Sequence, residues 1–456
     1  MEMRGWKTTG VLLIVMLIAT SVSANIDNLS NMSAEWIRTG NRNAATDAAD
    51  IVLYNPAALP VLSEGWHLNI GNQTLIRKPE HSYNDGTGQK TYKQDSPDLF
   101  LPNLYGAYNK DAWSIYAGFY IPGGGAVVDY PNGSITTQLA GMGVLASPAD
   151  PALSGFGINT IGDIYGSITD ESLEATSNYL TTTIGGAYRI NKTVSVSAGI
   201  RYINARNSVK AQLTLADLSA TAQAVNAVAP GTLAESTTLK IDEKATADGC
   251  GGIIGVHADL TDKLNLGLTY QSEVKLDFET KVNRDDLGMF TNGEKNRRDF
   301  PAFLGLGLGY DISDKLYGEF NTSYWFQKDA NWGTDASGRD ISDMAGDAWS
   351  FGASLAYKVT PELLVSAGTT FTKFNWGDIH GYYSANLGSL EVLYSDNWHI
   401  GAGCAWEFKK DMKLNFGIGQ TIWEDETIYY DTGAAVIPVS TSNATTTIAL
   451  GCDLAF

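Results

Sequence analysis

Cysteine is scarce: Cys250, Cys404 and Cys452 are the only three in 456 residues. They are too few and too scattered for a disulfide framework, and each lies in a strand-like run, so they read as small buried or lipid-facing thiols. Long apolar runs are missing after residue 24, and the mean hydropathy is -0.12. That excludes a bundle of membrane-crossing helices. It does not exclude a membrane β-barrel, where lipid-facing and lumen-facing residues alternate and average out. Basic residues are few, 31 Lys and Arg against 50 Asp and Glu, for a formal charge of -19. A nucleic-acid partner needs a basic face and is excluded, as is a broad basic patch for anionic lipid. The five histidines, His67, His81, His257, His380 and His399, show no metal-ligand spacing. No nucleophile–base set is visible. The expectation is a non-enzyme without metal or cofactor.

What is present begins with Arg4 and Lys7, an apolar stretch Val11–Ala19 and the small-residue site Val22-Ser23-Ala24. This has the form of a cleavable signal peptide over 1–24. From Gly65 onward the hydrophobic pattern has period 2. Trp398, Ile400, Ala402, Cys404, Trp406 and Phe408 alternate with small or polar residues; so do Val194, Val196, Ala198, Ile200 and Tyr202. That second alternation fades at Ile203, apolar on the otherwise polar face. About fourteen such runs are counted from 65–78 to 443–456, an even number as a single-chain bacterial barrel needs. The third is read as 112–122, the fourth as 176–190, the fifth as 194–209 and the seventh as 264–282.

The connections carry more information than the runs. Tight turns such as Asn191-Lys192 and Thr360-Pro361-Glu362 alternate with long loops such as 123–175, 210–235 and 283–299. A soluble sandwich has no reason to segregate loops in this way, whereas an outer-membrane barrel has short periplasmic turns and long outer loops. Trp113, Tyr188, Tyr310, Tyr357, Phe408 and Phe456 collect beside the tight turns and predict an aromatic girdle. The inward face is rich in glycine, Gly267, Gly307, Gly368, Gly401 and Gly417 among them, which leaves room for something inside.

The nearest occupant is Thr39–Pro60, a small, turn-rich stretch that closes on Asn55-Pro56-Ala57-Ala58. It reads either as a plug or as an N-terminal tail. Residues 213–229 are predicted to form a helix carrying Leu213, Leu215, Leu218, Val225 and Val228, stopped by Pro230-Gly231. Leu287, Met289 and Phe290 stand beside Arg297 and Arg298 in the loop after the seventh strand. The two arginines suit a carboxylate head group, or are ordinary loop charges. Pro122, Gly123, Gly124 and Gly125 end the third strand, either as the root of a loop or as a break in the wall, since Pro removes a ladder donor and Gly weakens pairing.

These features resemble the long-chain fatty acid and aromatic hydrocarbon transport proteins of Gram-negative outer membranes (FadL/TodX). The resemblance rests on Gly40, the Ala44–Asp50 run AATDAAD, Asn55-Pro56-Ala57, the strand count, the apolar third and fourth outer loops and the terminal Phe456. It implies an all-β transmembrane barrel of about 14 antiparallel strands over 63–456, with a hatch at 25–62 inside the lumen. It implies a monomer in outer-membrane lipid that takes up a hydrophobic small molecule, a fatty acid or hydrocarbon. Release would be sideways through a gap at a kinked third strand. Leu215, Leu218, Val225, Leu287, Met289, Phe290, Arg297 and Arg298 would be its ligand-binding loop residues. Some related barrels serve protein secretion, so a scaffold role stands as the alternative.

Other signals have blander readings. Gly305, Gly307 and Gly309 lie inside an alternating strand, not a nucleotide loop. Asp329, Asp335, Asp340, Asp343 and Asp347 form no EF-hand pattern and read as a solvated acidic loop. His257 and Asp259 read as a solvated lumen pair.

Overall fold

The structure is a computed structural model. It describes residues 32–456 except Thr87, Asp95, Ser96, Ala336, Leu387, Leu393 and Ala434; the expected signal peptide lies outside the described residues. The strands are β1 (Gly65–Arg77), β2 (Glu80–Asn84), β3 (Gln89–Lys93), β4 (Asp98–Lys110), β5 (Trp113–Tyr120), β6 (Gly124–Tyr130), β7 (Tyr165–Arg189), β8 (Val194–Leu218), β9 (Thr237–Thr261) and β10 (Leu264–Gln271). They continue as β11 (Asp277–Asp285), β12 (Lys295–Arg297), β13 (Ala302–Ser313), β14 (Leu316–Phe326), β15 (Ala348–Lys358), β16 (Leu363–Phe374), β17 (Asn397–Lys409), β18 (Met412–Trp423), β19 (Glu426–Asp431), β20 (Val436–Ser442) and β21 (Ala444–Ala455).

Counting β5 with β6 and β10 with β11, fourteen antiparallel strands form the wall. The first and last close it, His67 opposite Ala455 through Arg77 opposite Thr445. Closure pairs the first strand with the last and so leaves no open edge at the seam, the condition for sheet to stand in hydrocarbon. The period-2 pattern explains the two faces. Ile184, Ile200, Ile254, Ile400 and Leu450 are exposed on the outside, while Thr183, Arg201, Ile253, His399 and Ala449 are buried inside. The six girdle aromatics beside the tight turns are all exposed.

Some segments read as loops are ordered wall. The fourth strand begins at Tyr165 and the fifth runs to Leu218, paired from Tyr165–Leu218 to Arg189–Ser195. The helix expected over 213–229 is therefore shorter. Leu213 and Leu215 pair with Leu239 and Thr237 in the ladder, and the helix covers only Ala220–Val228, capped by the Ser219 side chain. The ladder satisfies those backbone groups at once, which a helix too short to stand alone cannot do. Loops 79–97 and 425–442 contain two hairpins that join as a separate four-stranded sheet, β19-β20-β2-β3.

The N-terminal segment lies inside the barrel. Helix α1 (Ala34–Thr39) is capped by the Ser33 side chain and stopped by Gly40 at φ 68, a left-handed value glycine adopts without penalty. Helix α2 (Ile51–Tyr54) and a 3-10 turn (Pro56–Val61) follow. Apart from Thr46, Asp47 and Val61, residues 32–61 are buried. Above the wall, α3 (Ile135–Ala146), α4 (Ala220–Val228), α5 (Ile341–Ala345) and α6 (Ile379–Ala385) pack in the outer loops. A core including Tyr130, Ile135, Trp332, Tyr382, Tyr383 and Ile428 ties α3, α5 and α6 together, while α4 packs in a separate cluster with Ile158, Ile161 and Tyr165.

Candidate functional site

The plug is held by its own main chain. A buried backbone polar group without a partner costs free energy, and the wall supplies partners at many points. Ser195 Oγ donates to the Ala57 carbonyl at 2.6 Å, Asn109 to Leu59 at 2.8 Å, Gln271 to Leu53 at 3.2 Å, and Thr370 to Gly40 at 2.7 Å. In return the Ala44 N–H donates to Glu319 at 2.9 Å. Asn55 donates to the Val256 carbonyl at 3.0 Å and accepts from the Ala57 N–H at 3.3 Å, which caps the 3-10 turn after Pro56. Within the plug, Arg42 pairs with Asp50 and, at 2.7 Å, with Asp47.

The inward glycines make this approach possible. A Cβ on Gly368 would overlap the Thr39 carbonyl, one on Gly401 the Ile37 carbonyl, and one on Gly267 the Asn43 carbonyl. Gly307 and Gly417 face Ala44 and Ala34 in the same way. A row of missing side chains is thus the groove in which the hatch lies.

Above it, an apolar pocket opens among the outer ends of β7, β8 and β9. Leu173, Val209, Leu213, Ile241, Met289 and Phe290 line it, with Leu239, Leu287, Ala140 and the first turn of α3. It is an open depression rather than a closed cavity, spanning roughly 570 Å³ when the space open to solvent is included. Its lining contains no charged side chain. Deeper on the same inward faces, Tyr179, Ile203, Ala205, Ala247, Val274, Phe278 and Phe300 form a second apolar cluster.

Two irregularities border this cluster. Strand seven is interrupted between Gln271 and Asp277. There buried Arg201 donates to Gln271 Oε1 and to the Ser272 carbonyl, both at 2.6 Å, with its guanidinium 5.2 Å from the Phe300 ring centroid. Strand three breaks at Ile121-Pro122-Gly123. The ladder between β4 and β5 runs from Lys110–Trp113 to Leu104–Phe119. Beyond it, β6 pairs with β7, and the Val127 N–H reaches β4 through the Asp98 carboxylate at 2.7 Å. Gly124 turns at φ 65 with its α-carbon against the Ser177 carbonyl, where a side chain would overlap. A Cβ on Gly123 would lie 2.9 Å from Phe300 and 3.2 Å from Tyr179, so the break abuts the second apolar cluster.

The residues singled out from sequence separate into groups. Gly40, Asn55, Pro56 and Ala57 are buried in the plug. Pro122, Gly123, Gly124 and Gly125 sit at the strand-three break. Leu287, Met289 and Phe290 line the outer pocket. Leu215, Leu218 and Val225 instead pack α4 against Ile158, Ile161 and Tyr165. Arg297 pairs with Asp299 at 2.8 Å and Glu273 at 3.7 Å, and buried Arg298 donates to Asn386 at 3.0 Å. His257 bonds Asp259 at 3.1 Å, but its ring is buried rather than solvated. Sequence reasoning missed Leu173, Val209, Ile241, Tyr179 and Arg201. One signal was available: Ile203, the residue that broke the polar face, belongs to the inner apolar cluster.

A closed fourteen-stranded barrel with its N-terminal segment bound in the lumen defines a hatch-type outer-membrane channel. Residues 165–456 match the model of the outer membrane protein transport protein family (OMPP1/FadL/TodX), and the chain belongs to that family. Solved structures agree in fold at low identity. A Pseudomonas aeruginosa FadL homologue superposes with TM-score 0.62 at 14% identity, covering 94% of this chain and 100% of that one. The Pseudomonas putida toluene transporter TodX gives 0.58 at 16%, covering 96% and 100%. The Ralstonia pickettii toluene transporter TbuX gives 0.57 at 14%, covering 94% and 98%. No curated protein matches the chain by sequence.

Proposed function

We propose that this protein is a monomeric channel, not an enzyme, that takes up hydrophobic small molecules across the outer membrane and releases them sideways through the wall at strand three. Hydrocarbons of the toluene kind, the cargo named for two of its structural neighbours, are the nearest model. The observation that carries the reading is the alignment of three features. An uncharged apolar pocket faces outward, an apolar luminal cluster lies beneath it, and that cluster abuts the one place where the β4–β5 ladder gives way. The axial route is occupied by the hatch, so cargo passing through has the break at hand. An apolar solute also gains by leaving into lipid, roughly 25 cal/mol per Å² of apolar surface.

Leu101 and Ile121 lie on the two edges of the break and belong to one buried cluster. Paired cysteines there, oxidised in a cysteine-free background, should block uptake of labelled toluene by cells and restore it on reduction. Unchanged uptake with complete crosslinking would sink lateral release.

A further inference from the structure

Between the outer pocket and the inner apolar cluster lies one polar rung. On β8 and β9 the inward residues pair as Val209 with Glu243 and Asn207 with Ala245. Val209 and Ile241 belong to the outer pocket, and Ala205, Ala245 and Ala247 to the inner cluster. Glu243 is 0% and Asn207 4% exposed. Neither carboxyl oxygen of Glu243 has a hydrogen-bond partner among the described residues, nor does Asn207 Nδ2. Asn207 is nonetheless oriented: Ser177 Oγ donates to its Oδ1 at 2.9 Å, which fixes Nδ2 as the free end. Ser177 is also the residue against which Gly124 turns at the strand-three break. Residues on neighbouring strands one rung apart are diagonal neighbours within reach of long side chains. A free acceptor and a free donor therefore share one level between the two apolar clusters.

Buried polar groups left unpaired are costly, so this pair selects among ligands. A pure hydrocarbon leaves both groups unsatisfied. A carboxylate anion has no hydrogen to donate to Glu243, and an ammonium cannot accept from Asn207 Nδ2. A neutral hydroxyl satisfies both, donating to Glu243 and accepting from Asn207. We propose that Glu243 and Asn207 form a recognition site for the hydroxyl group of an apolar alcohol or phenol. The inference rests on the uptake reading and narrows its cargo.

The test uses full-length protein in lipid nanodiscs with 1-octanol and n-octane competing against a fluorescent apolar probe, each corrected for partition into empty nanodiscs. Wild type should bind octanol about tenfold more tightly than octane, the scale of one or two net hydrogen bonds. Glu243→Ala and Asn207→Ala should each bring that ratio towards one without weakening octane. Glu243→Gln, which keeps an acceptor oxygen and the side-chain shape, should retain most of it. Heat-dependent gel mobility checks that each variant is folded. A wild-type ratio near one, or a ratio unchanged in both alanine variants, overturns the hydroxyl site and leaves the uptake reading standing. Failure of both probes to compete in wild type overturns the uptake reading itself, and the hydroxyl site with it.

Discussion

The Nδ2 of Asn55 donates to the Val256 carbonyl at 3.0 Å, so one hatch side chain is bonded to the wall while its Oδ1 caps the next turn of its own segment. Removing that amide removes both bonds. Asn55→Ala is expected to cost about 1–2 kcal/mol in hatch docking and to raise the population of undocked hatch roughly tenfold. Planar-bilayer recordings should show more frequent openings than wild type. Deleting 25–53 should leave a folded barrel with a permanently higher conductance. Equal conductance in all three would mean the segment does not close the lumen.

The glycine groove makes a separate prediction, because its residues touch the hatch without being part of it. Gly368→Val or Gly401→Val would drive a side chain into the Thr39 or Ile37 carbonyl. Packed interiors absorb such overlap by displacement, and the hatch is the movable partner since the ladder fixes the wall. Conductance should rise while heat-dependent gel mobility stays that of a folded barrel. Gly252, where an added Cβ meets nothing within 4 Å, is the control, and Gly252→Val should conduct as wild type does.

Acid should loosen the outer loops through His81. Its Nε2 accepts the Ile135 N–H at 3.1 Å, at the start of α3, and the ring packs against Tyr92 and Tyr130. Burial holds the imidazole pKa below its usual value, against a smaller upward pull from Glu391 and Glu80. A depressed folded pKa means the neutral ring is the one that fits. Its contribution is complete above about pH 6.5 and is lost as pH falls through the lowered value. Protection factors of the α3 amides, the exchange rates divided into their intrinsic values at each pH, should fall from about pH 7.5 to about pH 5. His81→Gln, which can still accept, should flatten the change. A flat wild-type profile would remove His81 from this role.

Much of the architecture was legible because it repeats. Period 2, the even count and the alternation of tight turns with long loops are local signals summed over the whole chain. The luminal glycines could be recognised as room for an occupant, and Asn55-Pro56-Ala57 as the close of the plug. The outer pocket was only half legible. Leu287, Met289 and Phe290 lie close together in one loop, but Leu173, Val209 and Ile241 meet through strand pairing more than thirty residues apart. Leu213 and Leu215 fit a period of 2, whereas Leu215 and Leu218 fit one of 3.6, and only the partner strand decides between them. The outer sheet was invisible for the same reason, since β2 and β20 pair across most of the chain.

The pocket can be tested by placing a charge where it cannot turn away. Ile241 is buried on the inward face of β9 and packs against Met289. An aspartate there is held in the lining by the ladder on both sides, β8 at Ala211 and β11 at Asp285. An unpaired carboxylate in apolar surroundings keeps water or takes up a proton rather than giving up its hydration, and either way an apolar solute must compete with it. Ile241→Asp should therefore reduce uptake of labelled toluene at least tenfold at low substrate concentration, with less effect at saturation. Ion conductance should stay at the wild-type level, because the hatch lies below and is untouched. Val228 on α4 is 83% exposed, so Val228→Asp adds the same charge outside the pocket and should leave uptake unchanged. Equal losses in the two variants would trace the effect to surface charge, and no loss in Ile241→Asp would place the entry route elsewhere in the outer loops.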